Sequence, residues 1–90
     1  MESMNNQDLW KGRIVTNPDI LAGKPIVAGT RISVELILDC LSSGWSMAEL
    51  LENYPSIKLE DMLAALAFAA DVIRTKPFIT VDGIKKGKQS

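Results

Sequence analysis

With 90 residues and a formal net charge of −1, the chain is sized for one small domain, where a single core is only marginal and shared burial with a second copy is useful. The absence of histidine and the single cysteine exclude a histidine base, a histidine metal site and an internal disulfide. No run of about 18 apolar residues is present, which excludes a transmembrane helix, and the polar, acidic stretch from Met1 to Asp8 is not a signal peptide, so a cytoplasmic protein is expected.

In chain order, residues 1–10 are expected to form a flexible amino terminus, 11–76 a single domain and 77–90 a partly disordered extension. Arg13-Ile14-Val15-Thr16 is a β-branched run ended by the turn signal Asn17-Pro18-Asp19, and it predicts a short strand. Gly23-Lys24-Pro25-Ile26-Val27-Ala28-Gly29-Thr30-Arg31-Ile32-Ser33 reads as a tight hairpin running straight into a helix, with glycines where a turn needs freedom in φ. Ser33 is placed to cap a first helix over Val34–Ser43, with Gly44 as its stop. Cys40 falls inside that pattern and reads as a small buried hydrophobe.

Ser46-Met47-Ala48-Glu49 is a capping box that opens a short second helix through about Asn53, broken by Tyr54-Pro55-Ser56. Trp45, in the turn between these helices, is expected to cover the core, and Trp10 also reads as a packing residue. A third helix is predicted from Leu59 to about Arg74. Its stripe Leu59, Met62, Leu63, Leu66, Ala70 and Ile73 is expected to close the core. The opposite stripe of Ala64, Ala65, Phe68 and Val72 is then left uncovered, and predicts an interface with another copy of the chain. The competing reading is that Pro77-Phe78-Ile79-Thr80-Val81 folds back over the stripe.

The fold class is therefore mainly α, a three-helix helix-turn-helix domain of the homeodomain-like kind, preceded by a short strand and hairpin. Charge sets limits on what such a domain touches. From Ser33 to Ile73 seven acids oppose Lys58 alone, whereas beyond Ile73 five bases oppose Asp82. The helical body repels phosphate, so DNA contact is expected from the hairpin region, at Arg13, Lys24, Thr30 and Arg31, or from the tail. The third helix opens with Lys58, Glu60 and Asp61, which is poor equipment for reading bases. For Arg31 the competing role is an ion pair with Glu35.

Catalysis is not expected. Glu60 and Asp61 are adjacent and do not face one pocket from a helix, and Cys40 has no activating neighbour in sequence. Gly23-Lys24 is not a phosphate loop, because Pro18 stands where that motif needs glycine and Pro25 where it needs a magnesium-binding hydroxyl. No cofactor and no small-molecule substrate are expected.

From Ile20 through Val72, the linked motifs Gly23-Lys24-Pro25-Ile26, Gly29-Thr30-Arg31-Ile32, Gly44-Trp45-Ser46 and Asn53-Tyr54-Pro55 resemble the domain of unknown function 433 family. The chain departs from that pattern at Ala28, commonly basic, at Ser33, commonly proline, and at Lys58, often a capping hydroxyl. The resemblance implies a small homeodomain-like or winged helix-turn-helix protein similar to VapB-type antitoxins. Such a protein would dimerise, bind its own operator and cover the acidic, metal-binding centre of a PIN-like ribonuclease toxin. Under that reading Arg74, Lys76, Phe78, Lys85 and Lys86 are the toxin-binding candidates, the cations facing the nuclease carboxylates. The alternative is a homodimeric structural or adaptor protein without nucleic-acid binding.

Overall fold

The computed structural model of the protein describes residues 6–75. Four helices and one small antiparallel sheet make up the fold: α1 (Asn6–Trp10), β1 (Ile14–Val15), a 3-10 turn (Leu21–Gly23), β2 (Ile26–Val27), α2 (Val34–Ser42), α3 (Met47–Asn53) and α4 (Leu59–Thr75). The sheet pairs Ile14 with Val27 and Val15 with Ile26. Thr30 shapes the hairpin that follows. Its backbone N–H and its hydroxyl both donate to the Val27 carbonyl, at 3.0 and 2.8 Å, while Oγ1 accepts from the Ile32 N–H at 3.0 Å. Gly29 at the turn has φ +79°, a backbone region that favours glycine.

Each helix start and stop on this side of the molecule has a local cause. Ser33 accepts from the Leu36 N–H at the start of α2. At the other end Gly44 takes φ +99°, and the Gly44 and Trp45 N–H groups donate to the carbonyls of Leu41 and Cys40, which is a Schellman closure. The Ser46–Glu49 capping box is complete in both directions, at 3.0 and 2.7 Å. Helix α4 is preceded by Lys58, which has no capping hydroxyl; instead Asp61, three residues into the turn, accepts from the Lys58 N–H at 2.9 Å. That is the reciprocal half of a capping box, supplied alone.

The core lies where α2, α3, α4 and the sheet meet. Ile26, Ile37, Leu50 and Met62 are its largest fully buried side chains, joined by Ile14, Val27, Val34, Ile57, Ala64 and Ala65. Cys40 is buried and free, and Trp45 packs partly buried against the same cluster.

Two expectations are corrected here. Residues 6–10, expected to be flexible, form α1 and lie on α4, held by Trp10 against the Phe68 ring, edge to face at 4.8 Å between centroids and 86°. In addition, α4 turns the other way from the orientation predicted for it. Of the stripe expected to close the core only Met62 is buried, while Leu59, Leu63, Leu66 and Ile73 are exposed. Ala64 and Ala65, expected at an interface between copies, are fully buried within one chain, and Phe68 packs partly buried against the core. The physical reason is α1 itself: it covers the Phe68–Asp71 side that a three-helix body would leave bare. The fold-back of residues 77–81, offered as the competing cover, lies outside the described residues.

Candidate interaction site

The residues nominated for DNA contact do different jobs. Arg13 precedes β1, and its guanidinium reaches Asp61 of α4 at 3.2 Å. The Asp61 carboxylate is buried, and between Arg13 and the Lys58 N–H both of its oxygens are used. Removing Arg13 would therefore strand a buried charge. Lys24 pairs with Glu35 at 3.0 Å, which takes the partner considered for Arg31. Thr30 is spent on the hairpin turn. Arg31 is exposed, and among the described residues it has no ion-pair partner.

Of the toxin-binding candidates, Arg74 donates to Asp71 at 2.8 Å from an exposed position. Lys76, Phe78, Lys85 and Lys86 lie outside the described residues. Arg74 shares Asp71 with groups that sequence reasoning did not single out as functional. The Trp10 indole N–H donates to Asp71 Oδ2 at 2.7 Å, and the Asn6 amide donates both to Asp71 Oδ1 at 2.9 Å and to the Ala67 carbonyl at 2.8 Å. The Trp10 bond first, then the Asn6 bond, hold the Asp71 carboxyl below its usual range; burial opposes them, and the Arg74 guanidinium adds to the lowering. A signal for this hub is present in the sequence: Asp71 is a lone acid in the run Leu66-Ala67-Phe68-Ala69-Ala70-Asp71-Val72-Ile73, and an acid there calls for donors.

Two apolar surfaces remain on α4. Along its outer side Leu59, Leu63, Leu66 and Ile73 are 45%, 47%, 39% and 52% exposed. Their spacing of four, three and seven residues puts them on one line along the helix. Around the corner, between α2 and α4, a groove of about 440 Å³ is walled by Val34 and Leu38 on one side and Phe68, Ala69, Val72 and Ile73 on the other, with Pro25 and the charged residues Lys24, Glu35 and Asp39 completing its lining. Among the described residues no helix is long and apolar enough to cross a membrane, so neither surface belongs to a bilayer-spanning helix there.

The comparisons place this architecture. The family model described as "Protein of unknown function (DUF433)" matches residues 14–69, the span from β1 through most of α4. The uncharacterized protein y4eO of Sinorhizobium fredii is 36% identical over 56 residues, which are 62% of this chain and 25% of that protein. The chain thus spans a quarter of the length of the curated relative it matches. A solved structure, that of a DUF433 member protein from Anabaena variabilis, superposes with a TM-score of 0.67 at 27% identity, over 74% of this chain and 66% of the other. With more than half of its length matched by the family model and 74% of it superposing on a solved member, the chain belongs to the DUF433 family.

Proposed function

We propose that this chain is an antitoxin-like protein-binding module that works as a homodimer, pairs through the outer side of α4 and neutralises a PIN-like ribonuclease. The observation that carries the pairing is the line of Leu59, Leu63, Leu66 and Ile73. Four large aliphatic side chains at helical spacing on a surface position are what a helix-to-helix seam requires, and they replace the alanine stripe first assigned to this role. Between Leu59 and Ile73 α4 runs for about 21 Å, the length of two heptads. The ribonuclease as partner rests on the family motifs and on the exposed Arg74 with the bases that follow it in sequence.

Light scattering on the full chain tests the pairing. The wild type is expected at twice the protomer mass and Leu63→Glu at the protomer mass, with unchanged helical circular dichroism; a variant still at twice the mass would remove the seam. Titrating the chain into a ribonuclease encoded beside it tests neutralisation, RNA cleavage being expected to stop near one chain per nuclease.

Within this reading α3, the turn at 54–58 and α4 are the candidate helix-turn-helix unit, and operator contact falls to Arg31. The acidic first turn of α4, with Asp61 buried and bonded, is unsuited to a groove of DNA. A gel shift with the upstream DNA is expected to weaken as salt rises and to weaken uniformly in Arg31→Ala. One observation favours the second reading, a homodimeric adaptor that binds no nucleic acid: Arg13, Lys24 and Thr30 are all bonded within the chain. Under it the gel shift is absent at every salt concentration while the pairing persists.

A further inference from the structure

We propose that the groove between α2 and α4 is the berth for a segment of this same chain, Pro77-Phe78-Ile79-Thr80-Val81, with the Phe78 ring as its anchor. This does not rest on the ribonuclease reading, and it gives Phe78, a candidate contact in that reading, a place within the protein itself. The groove walls are aliphatic and aromatic, and Ala69 sits between Phe68 and Val72 where a larger side chain would fill the space. Val72 on the wall is 36% exposed and is not part of the outer line of α4, so its apolar surface is left to be covered.

Chain geometry selects this occupant. Helix α4 ends at Thr75, two residues past Ile73 of the groove wall. Proline at 77 disfavours helix at the residue before it. From Phe68 to Ile73 the α4 wall runs for about 7.5 Å, while five extended residues reach about 16 Å, so 77–81 is long enough to turn back and run the length of the wall. The sequence of the segment matches the wall chemically, since phenylalanine, isoleucine and valine are its large side chains.

Charge agrees with this assignment. Lys24, Glu35 and Asp39 are the charged residues of the lining; Lys24 and Glu35 pair with each other, which leaves the exposed Asp39 carboxylate with no ion pair among the described residues. The segment is flanked by Lys76 on one side and by Lys85, Lys86 and Lys88 on the other, against a single acid, Asp82. A basic-flanked apolar segment laid into an apolar groove with one unpaired carboxylate, Asp39, at its edge satisfies both parts of the surface at once.

Nuclear Overhauser contacts in the full chain test the assignment. Phe78 ring protons are expected to contact the methyls of Leu38 and Val72, at the same relative intensity in dilute and concentrated samples. Chymotryptic cleavage after Phe78 reports the open population; it is expected to accelerate about tenfold in Leu38→Ser and more modestly in Asp39→Lys, a surface change that leaves the core intact. Absence of the contacts, or cleavage equally fast in wild type and both variants, would overturn the proposal. So would contacts seen only between an isotope-labelled and an unlabelled chain, which would hand the groove to a second copy.

Discussion

The two sides of α4 are both apolar, yet they differ in the size of what they carry. Buried on the inner side are Ala64, Ala65 and Ala67 with Asp61 and Met62, and Phe68 packs partly buried beside them; exposed on the outer side are Leu59, Leu63, Leu66 and Ile73. Small residues let α4 come close to α2 and the sheet, so the inner side gains its burial from the neighbours' side chains. The outer leucines and isoleucine stay 39–52% exposed within the described chain, and the exposed part of their bulk has a use once a second surface arrives. Apolar character by itself therefore does not identify the core side of a helix in a chain this small. Residue volume discriminates better.

Enlarging the inner side should break that distinction with the greatest effect. Ala65 is fully buried, and Ala65→Leu inserts three carbons where packing is already dense. The expected cost is about 1–3 kcal/mol, read as a lower urea midpoint at constant slope. An unchanged midpoint would mean that the inner side of α4 has slack and that its alanines are not fitted to close approach.

A second distinction runs along α4 rather than across it. Near its start Asp61 is bound by Arg13 and the Lys58 N–H; near its end Asp71 is bound by Trp10, Asn6 and Arg74. The N-terminal segment thus fastens to both ends of one helix through a carboxylate at each. The proton affinity of Asp71 is lowered, so its ionised form favours the docked α1. That contribution is complete above the ordinary carboxyl value of 3.8 and fades as pH falls below it, through the lower value of the folded state. Trp10→Phe keeps a ring against Phe68 and removes the indole N–H. The loss of urea stability between pH 5 and pH 3 is expected to be smaller in that variant than in the wild type; equal losses would show that the indole bond does not set the affinity of Asp71.

These particular residues also show what was legible beforehand. The helices α2, α3 and α4 could be read because their punctuation is local: Ser33 and Ser46 cap, Gly44 closes, and Pro55 breaks. Helix α1 was not legible. Its five residues carry no apolar period, and it is held by bonds to Asp71, 61 and 65 residues away in sequence. Missing α1 led directly to the reversed orientation of α4, because the face that α1 covers looked surplus. The Arg13 ion pair was hidden for the same kind of reason: an arginine beside a strand looks like a free cation until the fold brings Asp61 to it. Lys24 and Arg31 exchanged roles through one contact, Glu35, which lies within reach of both in sequence terms.

The smallest effect on the single chain is expected on the outer side, at Leu66. If its bulk serves a second surface, Leu66→Ser should change the stability of the isolated protomer by no more than about 0.5 kcal/mol, as surface substitutions do. The wild type should then gain stability as protein concentration rises, since association draws on the folded form, while Leu66→Ser gains little. Urea midpoints at two concentrations a hundredfold apart separate the two contributions. If the variant is destabilised equally at both, Leu66 is supporting its own protomer, and the seam on α4 ends at Leu63; if neither protein responds to concentration, the outer side serves no second copy and the large side chains there belong to a different partner.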